Sequence, residues 1–539
     1  MIETLVDSAR VYYDYLETHG LGVEIIRTKS FHFEGQRLYI FLAQKLFSTD
    51  SLLLRCGGRE FYVGDEDEIV LISYDEQKHI LLLEFMIPTD LFKEFELLSD
   101  LKFLVKNVEH FFANANLTFP SQIPYKLCEQ DIPLDRLSHD QARALRSIFS
   151  SPLSYVWGAP GSGKTQRVLF ESLLFLIKQN KKVALIAPTN NALELALKTV
   201  IKKSDELGLE RSLFLRLGVP SAEFLTLYPE SCDSSALDKK QLSLFSLGTP
   251  KERMEQACVI AMTLDGFIKR YEGLKIKFDH IFLDECGFAP LIKVCALCAN
   301  PSPLSMLGDH KQLMPVCEMP QKELEKHPRA KLWNLSALFL ESFFELQEGI
   351  FEQKQLRLKQ TKTAILKETF RYGDNLARLL DEFVYQNGLK GRAIESEVYY
   401  LDCSSLSLES LRGEVDSRHI SPKEIQGIKT ILSSMSGSYA IITPFVKQRQ
   451  ALIYNGVPYD RVFTIHGSQG QEFDDVIFSP VTLHYHLSDS SNPLALQALN
   501  VAISRVKKRL IVVCDVGFWQ NRPDQFLSRI LAIAKRWER

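Results

Sequence analysis

The most constraining stretch of this sequence is Tyr155-Val156-Trp157 followed by Gly158-Ala159-Pro160-Gly161-Ser162-Gly163-Lys164-Thr165 and a helix-forming segment from about Gln166. An apolar strand, a glycine-rich loop and a helix in immediate succession belong to a parallel α/β sheet. In such a loop the backbone N–H groups and the helix N-terminus face an anion. The spacing predicts that Lys164 reaches the β and γ phosphates of ATP and that Thr165 ligates Mg²⁺. The alternation continues through Val183 to Ala187, Val259 to Met262, His280 to Leu283 and Leu304 to Leu307. It breaks near Cys317 to Arg329. It resumes with Ala440 to Thr443, Arg461 to Ile465, Val476 to Pro480 and Leu510 to Cys514, which predicts a second α/β lobe.

The 539 residues suffice for several domains, each with its own core. The hydrophobic fraction of 45% and charged fraction of 24% are ordinary for a globular protein. No apolar run is long enough to span a bilayer, and the N-terminus lacks a secretory pattern. Ten cysteines are too sparse for a disulfide scaffold. The expectation is therefore a reduced, cytoplasmic protein without a membrane partner, a pattern that a nuclear or host-delivered protein would share. The net charge of −3 disfavours wholesale electrostatic binding of a polyanion. Local basic runs at 178–182, 198–203 and 505–509 are ordinary solvated helix faces or parts of a groove.

Residues 1–125 carry no catalytic motif. After an amphipathic opening helix, strand-like runs occur at Gln36 to Ala43, Ser51 to Arg55, Glu60 to Val63, Ile69 to Ser73 and His79 to Phe85. They predict a small barrel or sandwich. Pro88 to Ala115 reads as helix, and 64–68 is an acidic edge. Gln347 to Thr363 reads as an exposed helix or loop, and the aromatics of Phe339 to Phe351 as core.

Ile281-Phe282-Leu283-Asp284-Glu285 is an apolar strand ending in two acids. Downstream of a phosphate loop, Asp284 is the expected Mg²⁺ ligand and Glu285 the group that activates water. Gly308-Asp309-His310-Lys311-Gln312-Leu313 follows another strand. Gln312 can hydrogen-bond a γ-phosphate or water, an element that a simple phosphoryl-transfer enzyme does not require.

These ordered motifs, over about Leu137 to Asp515, resemble the superfamily 1 helicases of the nonsense-mediated-decay and immunoglobulin-mu-binding subgroup. The resemblance implies two tandem RecA-like lobes with an ATP cleft between them and an N-terminal small β-barrel on a helical stalk. The expected boundaries are 1–125, 126–325 and 326–539. It implies that Gln141 reads the adenine edge and that Pro188, Thr189, Asn190, Arg216 and Thr263 contact a nucleic-acid strand. In Leu366-Lys367-Glu368-Thr369-Phe370-Arg371 it makes Arg371 an arginine finger, and in Asn500 to Arg505 it makes Arg505 a second. Ile442-Thr443-Pro444-Phe445 resembles a Thr-Pro-aromatic turn, with Thr443 on the strand and Phe445 stacking on a base. Thr464 to Phe473 is similar to a RecD-like motif, in which Thr464, His466 and Ser468 meet the strand and Glu472 approaches the ribose.

The implied activity is ATP-dependent movement, 5′ to 3′, on single-stranded or partly duplex DNA or RNA, with unwinding and a possible protein partner at the N-terminal domain. Four positions depart from the pattern: Thr369 replaces Gln or Asn, Ala498 replaces Arg, and Cys286-Gly287 replaces two small residues such as Ala-Ala. Thr369 and Ala498 leave open an ATP-gated binding switch that hydrolyses ATP without unwinding. A small-molecule kinase is disfavoured by Gln312, Arg371 and Arg505 together. Cys295 and Cys298 read as structural cysteines, because a zinc site needs four ligands. His484 and His486 read as surface or core residues. For His466, a structural hydrogen bond stands beside the strand contact.

Overall fold

The computed structural model describes residues 1–43, 46, 49–64, 68–75, 78–233, 250–340, 361–406, 419–435 and 437–538. The acidic edge at 65–67, the aromatics at 341–351 and the Gln-rich stretch at 347–360 lie outside them. The chain packs as two compact units. The first comprises Met1–Val156, Thr165–Gly308 and Met314–Ala364; the second comprises Trp157–Lys164, Asp309–Leu313 and Ile365–Arg539.

The first unit opens with a helix, Ile2–Thr18. Eight strands follow: β1 Val23–Ile25, β2 Thr28–Glu34, β3 Arg37–Leu42, β4 Leu52–Cys56, β5 Arg59–Gly64, β6 Ile69–Asp75, β7 Ile80–Phe85 and β8 Glu96–Asp100. Their order is β1-β8-β4-β5-β6-β7-β3-β2, antiparallel except for β5 against β6. Alternate residues of β3 and β7 are buried, as a pleated strand with one wet face requires. Leu38, Ile40, Leu54, Leu71, Leu83 and Leu97 share one core, so the sheet curls into an open barrel.

The stretch expected to be one helix from Pro88 divides differently. Thr89–Phe92 is a single 3₁₀ turn, Glu96–Asp100 is β8, and only Leu101–Asn114 is helical. Leu97 and Leu98 are drawn into pairing with β4, which outweighs their helical spacing. Asp100 then caps the helix by accepting the Lys102 N–H. This helix packs beside Ile2–Thr18 and is tied to it by Lys102–Glu17 at 2.6 Å and Arg10–Glu109 at 2.5 Å. The opening helix is anchored to the same unit by Tyr12 against Trp333, whose Nε1 donates to the Ser8 carbonyl.

The next seven strands are β9 Leu153–Gly158, β10 Val183–Ala187, β11 Phe214–Arg216, β12 Val259–Thr263, β13 His280–Leu283, β14 Leu304–Gly308 and β15 Lys362–Leu366. They form one sheet in the order β11-β12-β10-β13-β14-β9-β15. β10, β12 and β13 are wholly buried, as expected for parallel strands covered on both faces. The boundary between the two units falls inside β9 and β15.

The second unit contains a short parallel pair, β16 Glu368–Thr369 with β17 Lys390–Gly391. Its main sheet has β18 Glu397–Asp402, β19 Tyr439–Thr443, β20 Val462–Thr464, β21 Phe473–Phe478, β22 Val506–Cys514 and β23 Lys535–Arg536. The order is β20-β19-β21-β22-β18-β23, parallel throughout. Each unit thus has a parallel sheet, and the architecture is mixed α/β. Among the described residues, no helix is long and apolar enough to cross a membrane.

Candidate functional site

The phosphate loop leaves the end of β9 and enters a π-helical turn, Lys164–Leu169, before the α-helix Phe170–Lys178. Gly161 and Gly163 have φ of 77° and 85°, a region that favours glycine. A Cβ on Gly161 would stand 2.4 Å from the Arg371 Cβ, so the loop tolerates no side chain there. Within the second unit, the Phe370 N–H donates to the Gly161 carbonyl and Thr369 Oγ1 donates to the Pro160 carbonyl at 2.8 Å. Thr369 is therefore a brace for the loop. Lys164 is buried, and its ammonium donates to the carbonyls of Gly158 at 2.7 Å and Ala159 at 3.3 Å.

Arg371 donates through Nη1 to the Ser504 carbonyl at 3.1 Å and pairs through Nη2 with Glu472 at 2.9 Å. Lys507 holds the other Glu472 oxygen at 2.6 Å. Burial pushes the Glu472 carboxyl up, but Arg371 and Lys507 outweigh it and hold it below the usual range. Gln312 is buried between two groups. Its amide nitrogen donates to Asp309 at 3.2 Å, and its carbonyl oxygen accepts from Arg505 at 2.8 Å. Arg505 also donates to the carbonyls of Val501 and Gln471. The expected sensor amide and one expected arginine finger are thus in direct contact.

In the first unit, Thr165 Oγ1 donates to Asp284 Oδ2 at 2.8 Å. A hydroxyl and a carboxylate brought together at a strand end are hard oxygen donors that fit Mg²⁺. Glu285 follows with φ of 53°, left-handed for a residue with a Cβ, and this turns the chain sharply after β13. Gly308 makes the turn possible. A Cβ there would lie 2.7 Å from Cys286 Sγ and 3.0 Å from the Gly287 nitrogen. The unusual Cys286-Gly287 pair is accommodated by that glycine.

The residues expected on a strand are distributed between the units. In the first, Thr189 caps the helix Asn190–Glu206 by accepting the Ala192 N–H, directly after Pro188. Arg216 is buried, pairs with Glu194 at 3.3 Å and donates to Asn190 Oδ1 at 2.9 Å. Thr263 caps the helix Leu264–Leu274. In the second, Thr443 and Ser468 are buried, Ser468 donating to the Ile465 carbonyl, while Thr464 accepts the Gly467 N–H. His466 is exposed. Phe445 is buried, with the His419 ring stacked on it at 4.6 Å. Gln141 is also buried, and its side chain closes a capping box with Ser138.

A family model described as AAA domain (AAA_12) matches residues 346–517. The Arabidopsis thaliana DNA replication ATP-dependent helicase/nuclease JHS1 is 24% identical over 70% of this chain and 28% of its own length. The ATP-dependent helicase upf1 of Schizosaccharomyces pombe is 25% identical over 73% of this chain and 46% of its own. The Rattus norvegicus DNA-binding protein SMUBP-2 is 25% identical over 68% and 42%. This chain is similar in sequence to these named helicases and DNA-binding proteins over about two thirds or more of its length. It spans less than half the length of each of these relatives.

The helicase motifs alone do not disclose a buried network in the second unit. Asp309 accepts from Trp157 Nε1 at 3.0 Å, Tyr385 Oη at 2.7 Å and the Lys311 N–H at 3.0 Å. Asn500 donates to Tyr385 Oη at 2.9 Å and to the Lys311 carbonyl at 3.0 Å. Asp309 and Asn500 lie inside motifs; Tyr385 lies in none, and only its position in the fold reveals it. Cys295 and Cys298 are buried, and burial pushes both thiols up, Cys298 to about 12.

Proposed function

We propose that this chain is an ATP-driven translocase of single-stranded nucleic acid that moves 5′ to 3′ and unwinds duplex. The observation that carries the reading is the Gln312–Arg505 hydrogen bond, in the same unit as a phosphate loop whose carbonyls accept from Thr369 and Phe370. An enzyme that only transfers phosphate has no need to wire a γ-phosphate sensor to an arginine of a distant motif. A motor has that need, because hydrolysis must alter how its parts grip the strand.

Lys164 and the loop N–H groups bind the phosphates, and Arg371 and Arg505 supply cations against charge developing on the transferred group. Glu285 holds the attacking water and accepts its proton. Thr165 and Asp284 would hold Mg²⁺, which when bound supplies neutralising charge on the phosphate oxygens. The strand contacts are phosphate and sugar contacts with little sequence preference.

Strand displacement from a fluorescent duplex with a 5′ single-stranded tail tests this. The expected result is ATP-dependent displacement by the wild-type chain and none by Lys164→Ala. ATP turnover without displacement of DNA or RNA duplexes would instead assign an ATP-gated binding switch.

A further inference from the structure

Residues 49 and 50, from the barrel, reach the surface on which Asn190, Arg216 and Thr263 stand. Asn190 Nδ2 donates to Thr49 Oγ1 at 3.0 Å, and Thr263 Oγ1 donates to Asp50 Oδ2 at 3.4 Å. Asp50 and Thr49 line one pocket with Asp265, Gly266, Lys269 and Arg270. The Arg216 and Arg270 guanidinium groups flank Gly218, where an added Cβ would lie 3.1 Å from one and 3.6 Å from the other.

Charged groups of both signs surround this pocket, Lys269 among them. Arg216 is matched by Glu194, and Lys293 by Asp265 at 2.6 Å. Arg270 feels Asp50. Burial and Asp265 push the Asp50 carboxyl up, and Arg270, Arg216 and Lys293 only partly counter them. Asp50 accepts from a hydroxyl donor and interacts with a guanidinium, beside a Thr49 oxygen that takes an amide donor. These are the donors a phosphodiester accepts. An acceptor held in a site of that chemistry competes with any phosphate that enters it.

We propose that Asp50, seated by Thr49, is an intramolecular competitor for the nucleic-acid backbone, and that a strand must displace it to reach Thr263, Asn190 and Arg270. The inference rests on the reading of the chain as a nucleic-acid motor. It makes the barrel a brake on strand binding, set by one carboxylate.

The test uses the 539-residue chain as wild type, Asp50→Asn, Arg270→Gln and the double variant. Binding of fluorescein-labelled oligouridylate and oligothymidylate is followed by anisotropy across a salt series. Asp50→Asn should bind about tenfold tighter than wild type, as expected when a like charge beside a phosphate is removed. Its salt dependence should steepen by about one phosphate's worth of counterion release. Arg270→Gln should erase that gain in the double variant. Thr49→Val, which loosens the seat without changing charge, should tighten binding by about threefold and serves if Asp50→Asn does not fold. Wild-type binding that Asp50→Asn and Thr49→Val leave unchanged or weaken would overturn the inference and make Asp50 a structural tie. Failure of wild type and every variant to bind either polymer would instead overturn the motor reading, and the inference with it.

Discussion

Lys164 and Arg216 are both buried cations placed by sequence motifs, and the protein treats them oppositely. Lys164 is held by two backbone carbonyls, and no carboxylate among the described residues pairs with it. Arg216 is locked to Glu194, which also accepts from the Ser221 N–H and hydroxyl. A buried charge surrounded only by neutral dipoles is incompletely compensated, and an arriving anion completes it. A buried charge already paired has no such demand. The phosphate loop is therefore prepared for a polyphosphate, whereas the Arg216 surface is internally neutralised and has to be opened.

The largest effect that can break this contrast is on turnover. Lys164→Ala should lower ATP turnover by about 10⁴, because it removes the cation reserved for the phosphates. A steady-state assay showing turnover near wild type would place that cation elsewhere. Glu285→Gln should retain binding of a fluorescent ATP analogue and lose about 10³ in turnover. Loss of binding with the remaining turnover unaltered would reverse its assignment from water activation to nucleotide recognition.

Arg216 should report through stability first. Arg216→Gln leaves Glu194 buried without its cation and should cost about 3 kcal/mol, read from the urea midpoint. The double change with Glu194→Gln should recover part of that cost. A single variant as stable as wild type would show that the pair is not the constraint described here.

A buried acid sharpens the comparison with a smaller effect. Glu424 is fully enclosed, and burial pushes its carboxyl to about 8 despite hydrogen bonds from Ser479 and the Val481 N–H. Its ordinary value is 4.5, so the folded state holds a proton that the unfolded state releases. The Glu424 contribution to stability is therefore greatest below about 4.5 and falls as the pH rises towards 8. Glu424→Gln should remove that slope and stabilise the protein by about 1 kcal/mol or more at neutral pH. Urea midpoints of both proteins across the range that stay parallel would show Glu424 to be ionised when folded.

Legibility in the sequence followed locality. The phosphate loop, the Asp284-Glu285 strand end and the Gln312 and Arg505 motifs are contiguous words, so residue order singled them out as candidates, Arg505 through the family resemblance. The parallel strands were legible because burial on both faces leaves continuous apolar runs. β8 was not, since Leu97 and Leu98 satisfy helical spacing and only pairing with β4 decides otherwise. Gln141 shows a motif with two readings: Ser138 and Gln141 at capping-box spacing were present in the sequence, and the side chain is in that box. The burial of Phe445 beneath His419 and the junction of Asp309 with Tyr385 and Asn500 join residues far apart in the chain, which no local pattern encodes.

The central claim is that hydrolysis and strand binding are coupled in one chain. The most direct measurement is steady-state ATP hydrolysis by this chain with no polymer, with single-stranded RNA and with single-stranded DNA. The account predicts strong stimulation by at least one polymer, lost in Lys164→Ala. Robust turnover that neither polymer alters would contradict it.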